Sequence, residues 1–133
     1  MKLWQKDIAS LKEVENFTVG NDREMDMYLA SFDVLGSLAH IEMLESVGLL
    51  TKEELTQLQQ ELKSIYKQIQ NGEFILQDDV EDIHSQIELL LTEKLGDVGK
   101  KIHSARSRND QVLVDVKLFL RRELEELVKT IQP

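Results

Sequence analysis

Residues 100–112 read K-K-I-H-S-A-R-S-R-N-D-Q-V, and they mark where the last long helix begins. Ser107, Asn109 and Asp110 are the residue types that cap helix N-termini, and an apolar repeat starts at Val112. From there Leu113, Val116, Leu120, Leu124, Leu127 and Ile131 recur at helical spacing, with Val112, Phe119 and Val128 widening the stripe. A stripe that wide contacts more than one neighbour, so the spacing predicts packed helices. The same stretch gathers Lys100, Lys101, His103, Arg106 and Arg108 against Asp110 alone, in a chain of formal net charge -9. Arg108 offers a planar charged fork and Asn109 a donor and an acceptor beside it. At a helix start, where free backbone N–H groups add their pull, this reads as a site for a small anion.

Upstream, the absence of any proline before Pro133 and the presence of only six glycines leave room for long helices. Residues 1–20 show little periodicity and are expected to form an extended arm, closed by a turn at Val19-Gly20-Asn21-Asp22. Met25, Leu29, Phe32, Gly36, Ala39 and Met43 predict one amphipathic helix from about 22 to 47, ended by Gly48. Thr51-Lys52-Glu53-Glu54 is a capping box, and Leu55, Leu58, Leu62, Ile65 and Ile69 continue it as a helix stopping at Asn71-Gly72. Acids at 78–82 and the series Val80, Ile83, Ile87, Leu90 and Leu91 predict a third helix over about 79–95. The fold class is therefore all-α.

Composition narrows the function. The 133 residues, 41% hydrophobic, suffice for one core. Without cysteine there is no disulfide or thiol chemistry, and no apolar run or leader points to a membrane or to export. The expected location is the cytoplasm. A pI of about 4.8 argues against nucleic-acid binding and favours a small-molecule ligand.

Two alternatives compete for the polar residues. Glu81, His84 and Glu88 share a helix face, which is half of a carboxylate-bridged di-metal pattern; the other half is missing, so no metal is expected and a solvated face with an exposed His84 is the plainer reading. His84 could also be an acid-paired imidazole, with Asp82 the nearest acid in sequence. The basic stretch could be a solvated loop offsetting the seven acids between Glu73 and Glu93. Against that, Ser104, Ser107, Asn109 and Gln111 surround the guanidinium groups with short hydrogen-bonding side chains. His40 reads as partly buried and structural, and His103 as the end of a turn.

Glu81-Asp82-Ile83-His84, followed at Gly99 by G-K-K-I-H-S-A-R-S-R-N-D-Q-V, resembles the N-terminal part of the argininosuccinate lyases, in the fumarase/aspartase superfamily. Asp33-Val34-Leu35-Gly36-Ser37 and Gly48-Leu49-Leu50-Thr51 support the match, which runs from about Leu3 to the end. The resemblance implies a homotetrameric all-helical enzyme that splits argininosuccinate into arginine and fumarate by β-elimination without a cofactor. It also implies a helical N-terminal domain over 1–107, including the arm, and the start of a central-bundle helix over 108–133. Asp82 and His84 match one family segment, and Ser107, Arg108 and Asn109 match the segment that holds substrate. Thr18 stands near the place of the family's N-terminal substrate-binding serine.

The family's T-x-x-H segment and its mobile G-S-S-x-M-P-x-K-x-N loop, which carry the acid/base His and Ser, do not occur in these residues. The expectation is a fragment that holds part of a substrate site, contains no catalytic residue, is inactive alone, and self-associates through residues 108–133. The alternative is a non-catalytic helical interaction module derived from the same family.

Overall fold

A computed structural model of the chain describes Phe17 and residues 20–132. Thr18 and almost all of the expected arm lie outside the described residues. Among residues 20–132 the α-helices are, in order, α1 (Asp22–Asp26), α2 (Ala30–Ser46), α3 (Lys52–Gln70), α4 (Ile83–Leu95), α5 (Asp97–Lys100) and α6 (Arg108–Ile131). A 3-10 turn, Lys101–His103, joins α5 to the loop before α6. No strand occurs among the described residues, and none of their helices is long and apolar enough to cross a membrane.

The helix expected over 22–47 is two helices. Bonds from Tyr28 N to Met25 O, Leu29 N to Asp26 O and Ala30 N to Met27 O tighten the backbone between them. The short α1 buries no residue, whereas α2 buries a whole face, so only the second segment has packing to extend it. That face is also a correction. Ala30, Val34, Ser37, Ile41 and Leu44 point into the core, while Met25, Ala39 and Met43 of the expected stripe are exposed. Helix α2 is central and apolar on more than one side, so periodicity alone could not choose between its two stripes.

Helix α3 starts where its capping box predicts: Thr51 accepts from Glu54 N at 3.2 Å and Glu54 accepts from Thr51 N at 2.9 Å. Leu58, Leu62 and Ile65 then meet Ile41 and Leu44 of α2 in a core completed by Ile83, Ile87 and Leu91 of α4. Gly48, at φ 80, gives the chain the left-handed turn that reverses it between α2 and α3. Thr51→Ala is expected to lower stability by about 1 kcal/mol, read as a lower urea midpoint with unchanged slope.

Helix α4 starts four residues later than the sequence suggests. Asp82 has extended backbone and caps the helix by accepting from Ser85 N at 2.7 Å. Val80, whose periodicity favoured an earlier start, is buried but belongs to the preceding loop. Arg23 holds that loop from outside, donating to the carbonyls of Asp78 (2.7 Å), Leu76 (3.3 Å) and Gln77.

Helix α6 begins at Arg108, and of the three cap-type residues in the sequence it is Ser107 that caps it. It crosses α2 closely because Gly36 has no side chain; a Cβ there would lie 3.2 Å from Val114 Cγ1. Phe32 and Phe119 meet edge to face at 6.2 Å. The stripe Leu113, Leu120, Leu124, Leu127 and Ile131 is exposed in this chain.

Candidate functional site

The functional side chains converge because the helix starts of α4 and α6 lie beside the first half of α2. Asp82, at the α4 cap, is 3.8 Å from Arg108 Nε in the first turn of α6. The same guanidinium donates to Gln111 Oε1 at 2.8 Å and to Ser85 Oγ at 3.3 Å, which sets its plane while leaving N–H groups for a ligand. Asn109 is exposed on the same turn. Ser107 and Asp110 complete a reciprocal capping box, with Ser107 Oγ accepting from Asp110 N at 3.3 Å. The hydroxyl of Ser107 is thus engaged in holding the helix start that carries Arg108 and Asn109.

Arg106 points the other way, donating to Ser37 Oγ on α2 at 3.1 Å. Ala105 just before it has φ 54, an uncommon conformation for a residue with a Cβ. This left-handed residue turns the chain so that Arg106 enters the body while Arg108 lies at the surface of α6. Lys100 pairs with Asp97 three residues before it and Lys101 with Glu54 in the first turn of α3, rather than with the acids of residues 73–93. His40 is half-buried and its Nε2 lies 2.9 Å from Ser104 O. His103 closes the 3-10 turn.

His84 overturns the expectation of a solvated ring: it is 3% exposed. Nor is its acidic partner Asp82. Its Nδ1 lies 3.0 Å from Asp33 Oδ1 and 3.5 Å from Asp115 Oδ2, both on buried carboxylates. Gln111 Nε2 donates to Asp33 Oδ1 at 2.6 Å. Burial opposes charge on Asp33, yet His84, Gln111 and Arg106 together hold its carboxyl below the usual range. Burial and the charge of Asp33 push Asp115 up to about 8. Burial also depresses the Arg106 guanidinium, against the attraction of Asp33 and Asp115.

Asp33, His84 and Asp115 offer one ligand atom each within 4.8 Å of one another, the spacing of a divalent-cation site. The adjacent Arg106 weighs against a cation: two carboxylates balance one guanidinium and one proton, whereas a divalent ion leaves buried positive excess. Glu81 and Glu88, the other members of the expected metal half-motif, are not in this cluster.

His84 also lines a cavity of about 250 Å³ with Asp22, Met25, Asp26, Glu81, Asp82 and Val112. Four carboxylates around one imidazole suit a positively charged group. Burial raises the Asp26 carboxyl, although the nearby His84 opposes that. The cavity adjoins Arg108 through Asp82, so cation-fitting and anion-fitting surfaces meet at one residue.

A family model described as Lyase matches residues 5–133. The chain belongs to this lyase family. Among the lyase relatives, the argininosuccinate lyases of Bacteroides thetaiotaomicron and Bacteroides fragilis are each 63% identical to it over 131 residues, covering 98% of this chain and 29% of theirs. That of Thermotoga neapolitana is 43% identical over 126 residues, covering 95% of this chain and 32% of that protein. The lyase chain thus spans about 29% of the length of the first of these relatives.

Of the residues singled out from sequence, Asp82, His84, Arg108 and Asn109 lie on the adjoining starts of α4 and α6, and Ser107 caps the latter. Sequence reasoning missed Asp26, Asp33 and Asp115 as partners of this region, and it grouped Arg106 with Arg108 rather than with the buried acids. A signal was there for two of them: Asp33 in F-D-V-L and Asp115 in V-L-V-D-V are lone acids inside apolar runs.

Proposed function

We propose that this chain supplies the substrate-holding part of an argininosuccinate lyase, an enzyme that releases fumarate from argininosuccinate to leave arginine. The observation that carries the reading is the junction at Asp82 between an acid-lined cavity and the Arg108–Asn109 pair. Argininosuccinate joins a guanidinium to a dicarboxylate in one molecule, and it needs both kinds of surface side by side. The identity to argininosuccinate lyases across nearly the whole chain supports the same choice.

In β-elimination a proton leaves the carbon beside one carboxylate and the carbon–nitrogen bond to the guanidino group breaks. Negative charge grows on that carboxylate as the proton departs. Arg108 pairs with a substrate carboxylate and Asn109 hydrogen-bonds it, and fixed donors there lower the barrier. Ser107 keeps both at the first turn of α6, Asp82 and His84 border the cationic part, and Thr18 belongs to the same proposal. A homotetramer and a cytoplasmic location follow from the resemblance, as does a small-molecule rather than a nucleic-acid or membrane partner. The exposed stripe on α6 supports association of chains through residues 108–133.

In a protein carrying this chain together with the remainder found in its relatives, Arg108→Ala is expected to reduce kcat/KM by the equivalent of about 2–4 kcal/mol. Fumarate absorbance in the ultraviolet is the readout. An unchanged rate removes Arg108 from the site, and no fumarate from the unsubstituted protein rejects the reading as a whole.

A further inference from the structure

We propose that Asp33 and Asp115 share one proton and act as positioning residues for His84, turning its Nδ1 inward so that Nε2 meets the acid-lined cavity as a hydrogen-bond acceptor. The geometry begins with burial: Asp33 is 0% exposed, Asp115 1% and His84 3%. Asp33 Oδ2 and both oxygens of Asp115 are buried without a hydrogen-bond donor. Carboxylate oxygens only accept, so two ionised groups facing each other in this interior would leave lone pairs unsatisfied and like charges opposed. One proton resolves both problems. It makes Asp115 a donor to Asp33, and it leaves the cluster neutral once Arg106 is counted.

Asp33 keeps the negative charge because Gln111 donates to it and His84 lies against it. The approach of Asp33 to Nδ1 is close but off the axis of a ring N–H, so Nδ1 is held chiefly by charge and confinement. A neutral ring in this setting carries its proton on Nδ1, next to the carboxylates. The lone pair is then on Nε2, across the ring and on the side of the cavity. An acceptor there adds a directed contact for an N–H of a cationic ligand among carboxylates that attract it without direction. The charged groups that face the pair are His84 on α4, Arg106 from the loop before α6, and Asp26 from α1, with Glu88 beyond Arg106.

The role of His84 as a ligand contact rests on the proposed function, but the test does not. Heteronuclear NMR of the imidazole nitrogens in the histidine-labelled chain, with His40→Gln and His103→Gln variants for assignment, reads the tautomer directly. His84 is expected as the Nδ1–H form, and the Asp115 carboxyl carbon is expected to titrate at about 8. Asp115→Asn keeps the tautomer and loses that titration step, because an amide replaces the protonated carboxyl in shape. Asp33→Asn moves His84 toward the Nε2–H form that free imidazole favours.

A wild-type His84 in the Nε2–H form overturns the proposal, as does an Asp115 that titrates at about 4, the ordinary carboxylate value. So does equimolar zinc that displaces the Nδ1 proton, which would make the cluster a metal site. If Asp33→Asn fails to fold, the wild-type spectra still decide. A locked tautomer in a protein that released no fumarate would defeat the proposed function and leave this inference standing; an unlocked one in an active lyase would do the reverse.

Discussion

Gly99→Ala is expected to destabilise the chain by about 3 kcal/mol, at the upper end of the cost of overpacking, because the added methyl group meets backbone rather than a movable side chain. A Cβ at Gly99 would overlap the Leu91 carbonyl and lie 2.6 Å from Thr92 N, on the last turns of α4. Neither can yield without opening the helix. Helix α5 would have to lift from α4, and the 3-10 turn behind it carries Ile102, which is buried in the core. The displacement would pass to Arg106 and Arg108. Urea denaturation followed by circular dichroism measures the loss, and a wild-type midpoint would show that α5 does not need its close seat on α4.

Asp33→Ala is the second large effect, expected at about 3–5 kcal/mol, the scale of removing one partner from a buried charged network. The substitution leaves Gln111 Nε2 without its acceptor, Arg106 without its main counter-charge, and His84 beside Asp115 alone. Asp33→Asn should cost less because it preserves volume and a carbonyl acceptor. Equal losses for the two variants would mean that the charge of Asp33, which both remove, holds the cluster, and that the shape and acceptor kept by Asn do not.

The same pair sets a pH dependence whose sign follows from its two shifts. Asp33 is depressed, so its contribution is present above the ordinary carboxylate pKa and is lost as pH falls through its folded value. Asp115 is raised to about 8, so the folded chain holds a proton that the unfolded chain releases near 3.8. Its contribution is fully present below that unfolded value and drains away as pH rises toward about 8. Unfolding midpoints should therefore fall as pH rises from about 4 to about 8 and level off above that, and Asp115→Asn should flatten the falling part of the curve. A wild-type curve that is already flat there would place an ordinary carboxyl at 115.

Much of the architecture was legible because its signals are local. The capping box at Thr51 and the cap-type residues at 107–110 mark the starts of α3 and α6, since a side-chain oxygen and the backbone it caps act within one turn. The errors arose where tertiary contacts overrode local pattern. Val80 has helical spacing but is buried from a loop, and the residues around Met27 break a helix that periodicity would continue.

By itself the sequence determined an all-helical chain, the helix start that presents Arg108 and Asn109, and membership of a lyase family through strings of residues close together in the chain. Only the tertiary structure decided what surrounds His84. Asp33 and Asp115 lie far from it along the chain, and neither periodicity nor capping carries information about which side chains meet across three helices. Burial then turned lone acids in apolar runs into a proton-sharing pair, because a carboxylate without water must find a counter-charge, a donor or a proton.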